Sequence, residues 1–293
     1  MKKLSYLLIV VFGIVLTNCR PKPIDIDVKP AQSKLVITAQ VIPGSVMIVG
    51  LTRSFSALDP GGNADTIQNN FLDSILVPNA IVTVEHSSQI DTLYMLTPGI
   101  YASLNVLLVD YNTYTLHAKD PATGLEVTAT TQMLPVEHFD TIWPYKGVLS
   151  GFPDSVVFAH YQLTDFPTSD DYYVACYYKK SSDTSAFDVN SFFSQGTNEL
   201  SGFDIFSDQD FDQNGKLTRD AYLPYVGLHD TIACTIGHIT KGYYEFLDAY
   251  KRSSSLFNQL SGEPINYPSN VEGGYGYFAC EYPDIRFFDM NQY

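Results

Sequence analysis

Residues 113–133 read TYTLHAKDPATGLEVTATTQM, and the prediction of the fold starts from this stretch. In TYTLHAK (113–119) and LEVTATTQM (125–133), apolar and polar residues alternate, which is typical of strands that bury one face. Gly124 lies between the two runs, and glycine favours a turn at such a position. Strand, turn and strand in immediate succession predict antiparallel β structure.

The same pattern recurs toward the N-terminus. The short alternating runs here are LVITAQV (35–41), SVMIVGLT (45–52), AIVTVEH (80–86) and DTLYML (91–96), and the turn signals Pro43-Gly44, Pro60-Gly61-Gly62 and Pro98-Gly99 lie between or after them. Several short strands with turns at this spacing are typical of a β-sandwich. We therefore predict an Ig-like or transthyretin-like sandwich over residues 34–135, with a longer polar insertion at 58–78.

A second β-rich domain is predicted over residues 136–293, after a junction at Pro135–Pro144. Its strand-like runs are SVVFAHYQLT (155–164), DYYVACYYKK (171–180) and DTIACTIGHIT (230–240). One segment near 241–260 differs, because Tyr243, Phe246, Leu247 and Tyr250 recur at helical spacing and form one apolar face. The chain is thus predicted to be mainly β, with one amphipathic helix in its C-terminal half.

The N-terminus has the pattern of a bacterial lipoprotein signal. Two lysines precede the apolar run Leu7–Leu16, which is too short to span a bilayer and is typical of a secretory leader. The following residues, Leu16–Cys19, resemble a lipobox. This resemblance implies that residues 1–18 are a signal peptide and that Cys19 carries a lipid anchor. Residues 19–33, with three prolines, are predicted to be a tether.

Charge and cysteine content exclude several functions. Removing residues 1–18 takes away two lysines and no acid, which lowers the net charge from −15 to −17. So acidic a body repels nucleic acid, and no nucleic-acid partner is expected. By alternation, Cys176, Cys234 and Cys280 each share a face with apolar neighbours, so we interpret them as small core residues. They allow at most one disulfide.

Seven blocks, in this order, carry a resemblance to a known family: LVITAQV (35–41), NAIVTVEH (79–86), PGIYAS (98–103), YTLHAK (114–119), FSDQDFDQNGK (206–216), GYYEFLDAY (242–250) and PSNVEGGYGYF (268–278). The chain resembles the Bacteroidota outer-membrane lipoproteins grouped as domain of unknown function 4249. The resemblance implies an outer-membrane location and a TonB-dependent receptor as partner. It favours the cell surface over the periplasmic face. Surface-exposed lipoproteins of this phylum often carry an acidic run directly after the lipidated cysteine, whereas Cys19 is followed by Arg20–Pro23.

The stretch DFDQNGKLTRDA (210–221) is similar to a calcium-binding EF-hand loop in its first half. Asp210, Asp212, Asn214 and Gly215 occupy ligand and turn positions, but position 12 is Ala221 instead of Glu. Asn-Gly is also a strong hairpin signal, because a type I′ turn needs positive φ at both residues. We predict a polar hairpin tip, and the alternating acids from Asp208 to Asp212 leave weak metal binding as the alternative.

Other motifs predict no catalytic, cofactor or metal residues. In EGGYGYFAC (272–280), the glycines precede a strand-like run instead of a helix, so a tight turn or a close backbone approach is favoured over a phosphate loop. The six histidines have no metal-ligand spacing, and His238 is interpreted as structural. The doubled aromatics indicate either packing within the sheets, which is favoured, or exposed binding surfaces: Tyr172-Tyr173, Tyr177-Tyr178, Phe192-Phe193, Tyr243-Tyr244 and Phe287-Phe288.

The leading hypothesis is a non-enzymatic outer-membrane lipoprotein that serves as an accessory or ligand-capturing partner of a TonB-dependent transporter. Two alternatives stay open. A surface hydrolase acting on glycans or peptides would require acids clustered in a pocket lined by aromatic residues. A structural or adhesive envelope protein would present a flat face without a pocket.

Overall fold

The computed structural model describes residues 32–42, 46–55, 74–151, 155–165, 170–179, 200–224, 226–253 and 266–293. The predicted signal peptide, Cys19 and most of the predicted tether lie outside these ranges. So do residues 58–73 of the polar insertion, the pair Phe192-Phe193, and residues 254–260 at the end of the predicted helix.

Sixteen strands and one α-helix form the fold within these described ranges. The strands are β1 (Leu35–Ile42), β2 (Val46–Arg53), β3 (Ile81–His86), β4 (Gln89–Thr97), β5 (Ile100–Ser103), β6 (Thr113–Lys119), β7 (Glu126–Gln132), β8 (Thr141–Val148), β9 (Ser155–Thr164), β10 (Tyr172–Lys179), β11 (Leu200–Ser207), β12 (Lys216–Tyr222), β13 (Thr231–Ile239), β14 (Val271–Glu272), β15 (Tyr275–Tyr277) and β16 (Asp284–Asp289). The helix α1 (Lys241–Ser253) follows β13. The prediction of a mainly β fold with one helix in the C-terminal half is confirmed.

The first sheet has nine strands in the order β14-β7-β6-β3-β4-β5-β2-β1-β15. Its two outermost strands, β14 and β15, are neighbours in sequence, so one short segment pairs with both edges of the sheet: antiparallel with β7 and parallel with β1. The sheet thereby wraps around a single core, to which β6 contributes Tyr114, Leu116 and Ala118 as its alternation predicts. Such closure leaves few unpaired strand edges.

The glycines of EGGYGYFAC allow this closing segment to fit, as the predicted close backbone approach requires. Gly273 has a φ of 81°, and a methyl group there would lie 2.8 Å from the carbonyl oxygen of Glu126 in β7. Gly276 has a φ of 99°, and its methyl group would overlap the carbonyl oxygen of Ile37 in β1. Only glycine combines this backbone conformation with this approach.

A four-stranded sheet (β11-β10-β13-β16) and a three-stranded sheet (β12-β9-β8) form a second sandwich. Tyr161 of the smaller sheet packs between them against Phe206 of the larger sheet, and Phe206 in turn stacks with Tyr173. Helix α1 covers the outer face of the larger sheet, where Leu247 is buried against Val174 and Ile239. At β10 the larger sheet is therefore buried on both faces, which agrees with the many aromatic residues of this strand.

Division of the chain at residue 135 stays a prediction, but the C-terminal part returns to the first sheet. Val271, Phe278 and Cys280 belong to the core of that sheet. On α1, Tyr243 and Phe246 contact the ring of Tyr277, with ring centroids 5.3 and 5.4 Å apart. Helix α1 therefore contacts both the second sandwich and the segment that closes the first sheet.

Candidate functional site: an apolar face and an acidic cluster

Strands β3 and β4, together with Leu104 directly after β5, expose apolar side chains at the outer surface of the first sheet. We call this surface the β3–β5 apolar face and define it by five residues that are 57–75% exposed: Ile81, Ile90, Tyr94, Leu96 and Leu104. Monomeric proteins seldom leave apolar residues grouped in this way without a binding role. The face is therefore the candidate interaction surface.

The strand register brings these residues together. Tyr94 of β4 lies opposite Ala102 of β5. On the other side, Val82 of β3 pairs with Leu93, so the preceding residue Ile81 lies beside Tyr94. A register shift follows Met95, where β4 has one more residue than β5. Such a bulge changes the direction of nearby side chains, and it coincides with the exposure of Leu96.

Another part of the same sheet serves as an internal comparison. On β6 and β7, the outward residues are polar and bond to each other across the strands: Thr115 with Thr130 at 3.2 Å, His117 with Thr128 at 3.1 Å, and Lys119 with Glu126. Threonine and charged residues are typical of a solvent-exposed sheet surface. The apolar composition of β4 is thus a local property and not a general feature of this sheet.

The loop after β5 extends the exposed apolar surface. Leu107 and Val109 are exposed, and the buried hydroxyl of Tyr114 holds their backbone: it donates to the Leu107 carbonyl at 2.7 Å and accepts from the Val109 amide at 2.8 Å. Burial raises the pKa of Tyr114, so its hydroxyl stays a donor. The sequence interpretation missed this loop. Its signal is the run LNVLLVDY (104–111), which is too apolar for an ordinary connection.

A cluster of three carboxylates forms a second candidate, at one end of the second sandwich. Oxygen atoms of Asp165, Asp171 and Asp208 all lie within 4.8 Å of one another. Tyr173 donates to Asp165 at 2.5 Å, and His238 Nε2 lies 3.1 Å from Asp171. Carboxylate oxygens are the ligands that Ca²⁺ prefers, but Ca²⁺ takes about six to eight of them. The cluster supplies three of these from the described residues.

Protonation, instead of a bound cation, is a second way to reduce the negative charge of this cluster. Oδ1 of Asp208 is inaccessible to solvent and has no hydrogen-bond partner among the described residues. Burial raises the pKa of Asp208, and the nearby Asp165 carboxylate raises it further, against the opposing effect of the Asp171 amide. Three close carboxylates repel one another, so a shared proton reduces their charge. His238 is structural as predicted, because it bonds to Asp171 and stacks on Tyr173.

The hairpin predicted for 210–221 is wrong. Strand β12 pairs with β9 of the smaller sheet, while β11 pairs with β10 of the larger sheet, so the intervening segment crosses between sheets. Gly215 has a φ of 67°, but Asn214 is not among the described non-glycine residues with positive φ, so the turn is not type I′. Tertiary pairing of β12 outweighs the local turn signal.

The acids in this segment do not form one alternating row, because Asp208–Asp210 is a 3₁₀ turn. Asp208 joins the cluster, Asp210 pairs with Arg219 at 2.7 Å, and Asp212 accepts from the amides of Asn214 and Lys216. Ala221, at position 12 of the loop, packs into the core of the second sandwich. The described residues therefore lack the arrangement of an EF-hand.

The cysteines and most doubled aromatics pack as predicted. Cys176, Cys234 and Cys280 are free thiols, and burial raises the pKa of both Cys176 and Cys234 to about 12, so neither is a ready nucleophile. Tyr173 and Tyr177 are buried between the sheets. Phe287 is the exception, since it is exposed and lines an open groove of about 570 Å³ with Val136, His138, Tyr282, Pro283, Asp284 and Ile285.

These features define a class: a β protein with a wrapped first sheet, a second sandwich and one apolar outer face. Among helices of the described residues, none combines the length and apolarity needed to cross a membrane. A family model described as "Domain of unknown function (DUF4249)" matches residues 21–281. The chain belongs to this family, which confirms the resemblance to domain of unknown function 4249.

Other comparisons add little. No curated protein matches the chain. Among solved structures, the crystal structure of chicken CNTN1 FN1-FN3 domains is similar over 87% of this chain and 67% of that chain, at 10% sequence identity and a TM-score of 0.24. A TM-score this low carries no argument about fold or function.

Proposed function

We propose that this protein is a Bacteroidota lipoprotein, anchored through Cys19 in the outer membrane at the cell surface in preference to the periplasmic face. It acts as a non-enzymatic accessory or ligand-capturing partner of a TonB-dependent transporter. The lipobox-like Leu16–Cys19 supports the anchor. The observation that carries the partner role is the β3–β5 apolar face, because it is grouped, exposed and confined to one part of its sheet.

The physical argument for a partner is the transfer of apolar surface from water. Each of the five residues of this face is more than half exposed, and Tyr94 adds an aromatic ring of the kind that is enriched at interfaces. A stable interface buries at least about 1,000 Å² in total. The five residues form a centre for such an interface, and Leu107 and Val109 of the adjoining loop extend it.

The test is co-purification after gentle detergent extraction and crosslinking. We expect a C-terminally tagged protein to recover a TonB-dependent receptor in near-equal amount. The double variant Tyr94→Ser with Leu96→Ser should recover at least about tenfold less, which corresponds to a loss of about 1.4 kcal/mol. The matched control is Val148→Ser with Phe287→Ser, which changes two apolar residues of the second sandwich that are at least as exposed, and it should leave recovery unchanged.

Anchoring is tested separately. Cys19→Ala should release the protein from carbonate-washed membranes, because the thiol that accepts the lipid is gone. Retention of this variant would contradict the lipoprotein proposal. A wild-type protein that purifies alone under crosslinking, and whose deletion leaves nutrient uptake intact, would contradict the partner proposal and favour a structural envelope role.

A hydrolase is the second candidate, favoured by the closeness of Asp165, Asp171 and Asp208. Retaining glycosidases place two carboxyl groups about 5 Å apart. Here Asp165 already accepts from Tyr173, Asp171 bonds to His238, and Asp208 accepts from the backbone amide of Asp171, which restricts their access to a substrate. Release of product from envelope glycans or peptides by the purified protein, abolished by Asp171→Asn, would establish this alternative.

A further inference from the structure

The layer between the larger sheet of the second sandwich and helix α1 contains one acidic side chain that nothing in the proposed function uses. Val174, Ile239 and Leu247 form the buried centre of this layer. Glu281 reaches into it from the segment after β15. The residue as a whole keeps some exposure, but its Oε2 atom is inaccessible to solvent and has no hydrogen-bond partner among the described residues.

A glycine makes room for this carboxyl group. On β13, a methyl group at Gly237 would lie 2.6 Å from Oε2 of Glu281 and 3.5 Å from the side chain of Val174. The distance to Oε2, and the 3.2 Å to Cδ of the same side chain, show that the carboxyl group packs directly against the backbone of β13. Gly237 does not have positive φ, so the close contact with Glu281, and not backbone strain, limits substitution there.

The groups that face Glu281 are all neutral at ordinary pH. Strand β10 contributes Cys176 and Tyr178, helix α1 contributes Tyr243, and the adjoining segment contributes Cys280, while β13 presents the uncharged Gly237. No cation of the described residues is among the groups that act on its carboxyl. Burial raises the pKa of Glu281 to about 7. Its ionisation therefore places a single uncompensated charge in an apolar layer.

The position of Glu281 connects two parts of the molecule. Cys280, its neighbour, belongs to the core of the first sheet. Tyr277, four residues earlier, contacts Tyr243 and Phe246 of α1. A disturbance of the packing of α1 at Glu281 therefore also acts on the place where the helix contacts the first sheet.

We propose that Glu281 is a proton-operated latch for helix α1. Protonated, it packs beneath the helix as a neutral group. Ionised, it draws water into the layer, and α1 together with its contacts to Tyr277 opens locally. The proposal does not depend on a lipid anchor or on a partner.

The sign and size of the effect follow from linkage. A carboxyl group with a raised pKa keeps its full contribution to stability below its ordinary pKa and loses it as the pH rises through the raised value. With an ordinary value of 4.5 and a buried value of about 7, the opening equilibrium rises by at most about 300-fold from acidic to alkaline pH. The opening equilibrium changes mainly in the pH range between the ordinary value of 4.5 and the buried value of about 7.

The test is amide hydrogen exchange of residues 243–250, corrected for the intrinsic rate, between about pH 5 and about pH 8.5. In the wild-type chain, protection should fall by a factor of about 75 between these two pH values, because about fourfold of the full effect is already present at about pH 5, while protection of β6 should stay constant. Glu281→Gln should remove the fall. The matched control Glu245→Gln, which makes the same change on the exposed side of α1, should behave as wild type.

A second variant keeps the proposal testable if Glu281→Gln does not fold. Gly237→Ala should push the carboxyl group toward water and move the transition to lower pH. Direct titration of the Glu281 carboxyl by ¹³C NMR gives a further check in the wild-type chain. Constant protection in the wild type, an unchanged fall in a folded Glu281→Gln variant, or an ordinary carboxyl titration would each overturn the proposal.

Discussion

Gly276→Ala should destabilise the protein strongly, because this glycine lies where β15 joins the first sheet. Its φ of 99° is unfavourable for any residue with a Cβ atom, at a cost of about 1–3 kcal/mol. The added methyl group would also overlap the Ile37 carbonyl oxygen, which is backbone and cannot rotate away. Relief requires β15 to separate from β1 and weakens the pairs Val36–Tyr275 and Thr38–Tyr277. We expect a total loss of about 3–5 kcal/mol.

Gly124→Ala is the matched control. Gly124 also has positive φ, 75°, but no atom lies within 4 Å of the position of an added methyl group. This variant should lose only the backbone cost, about 1–2 kcal/mol. The difference between the two variants therefore measures the close approach of β15 to β1, separately from backbone strain.

The assay is urea unfolding followed by circular dichroism and by the fluorescence of Trp143, which lies in β8 and reports on the second sandwich. With an m-value of about 3 kcal/mol/M, a further loss of about 3 kcal/mol lowers the midpoint by about 1 M. Equal midpoints for Gly276→Ala and Gly124→Ala would refute the view that the closing segment is held by this glycine.

Two further predictions concern charged groups. Asp120→Ala should cost about 3 kcal/mol at neutral pH, because it leaves Arg53 without its buried partner at 2.7 Å. Burial opposes ionisation of Asp120, but its hydrogen bonds lower its pKa overall, so the wild type should lose this advantage in urea midpoints as the pH falls through the acidic range. Asp165→Asn should raise the melting temperature near pH 7 by about 2 °C, because it relieves the repulsion on Asp208. At acidic pH the melting temperatures of the variant and the wild type should be equal. Calorimetry of both proteins at the two pH values measures this difference.

The sequence by itself determined the class of fold and the position of most strands. In TYTLHAK, the alternating residues Tyr114, Leu116 and Ala118 do face the core, because a strand that buries one face must repeat with period two. The face of α1 was predictable for the same reason at helical period. The three glycines after Glu272 also revealed a close backbone approach, although not to which strands.

Only the tertiary structure decided which segments meet. Alternation states which face of a strand is buried but not which strand lies beside it, so β12 pairs with β9 against the hairpin signal of Asn214-Gly215. Likewise, no local pattern connects Asp165 with Asp208, or Glu281 with Gly237, since these contacts join distant segments. Local sequence encodes periodicity and turns, whereas strand order, the wrapping of the first sheet and the burial of a single carboxyl group depend on long-range packing.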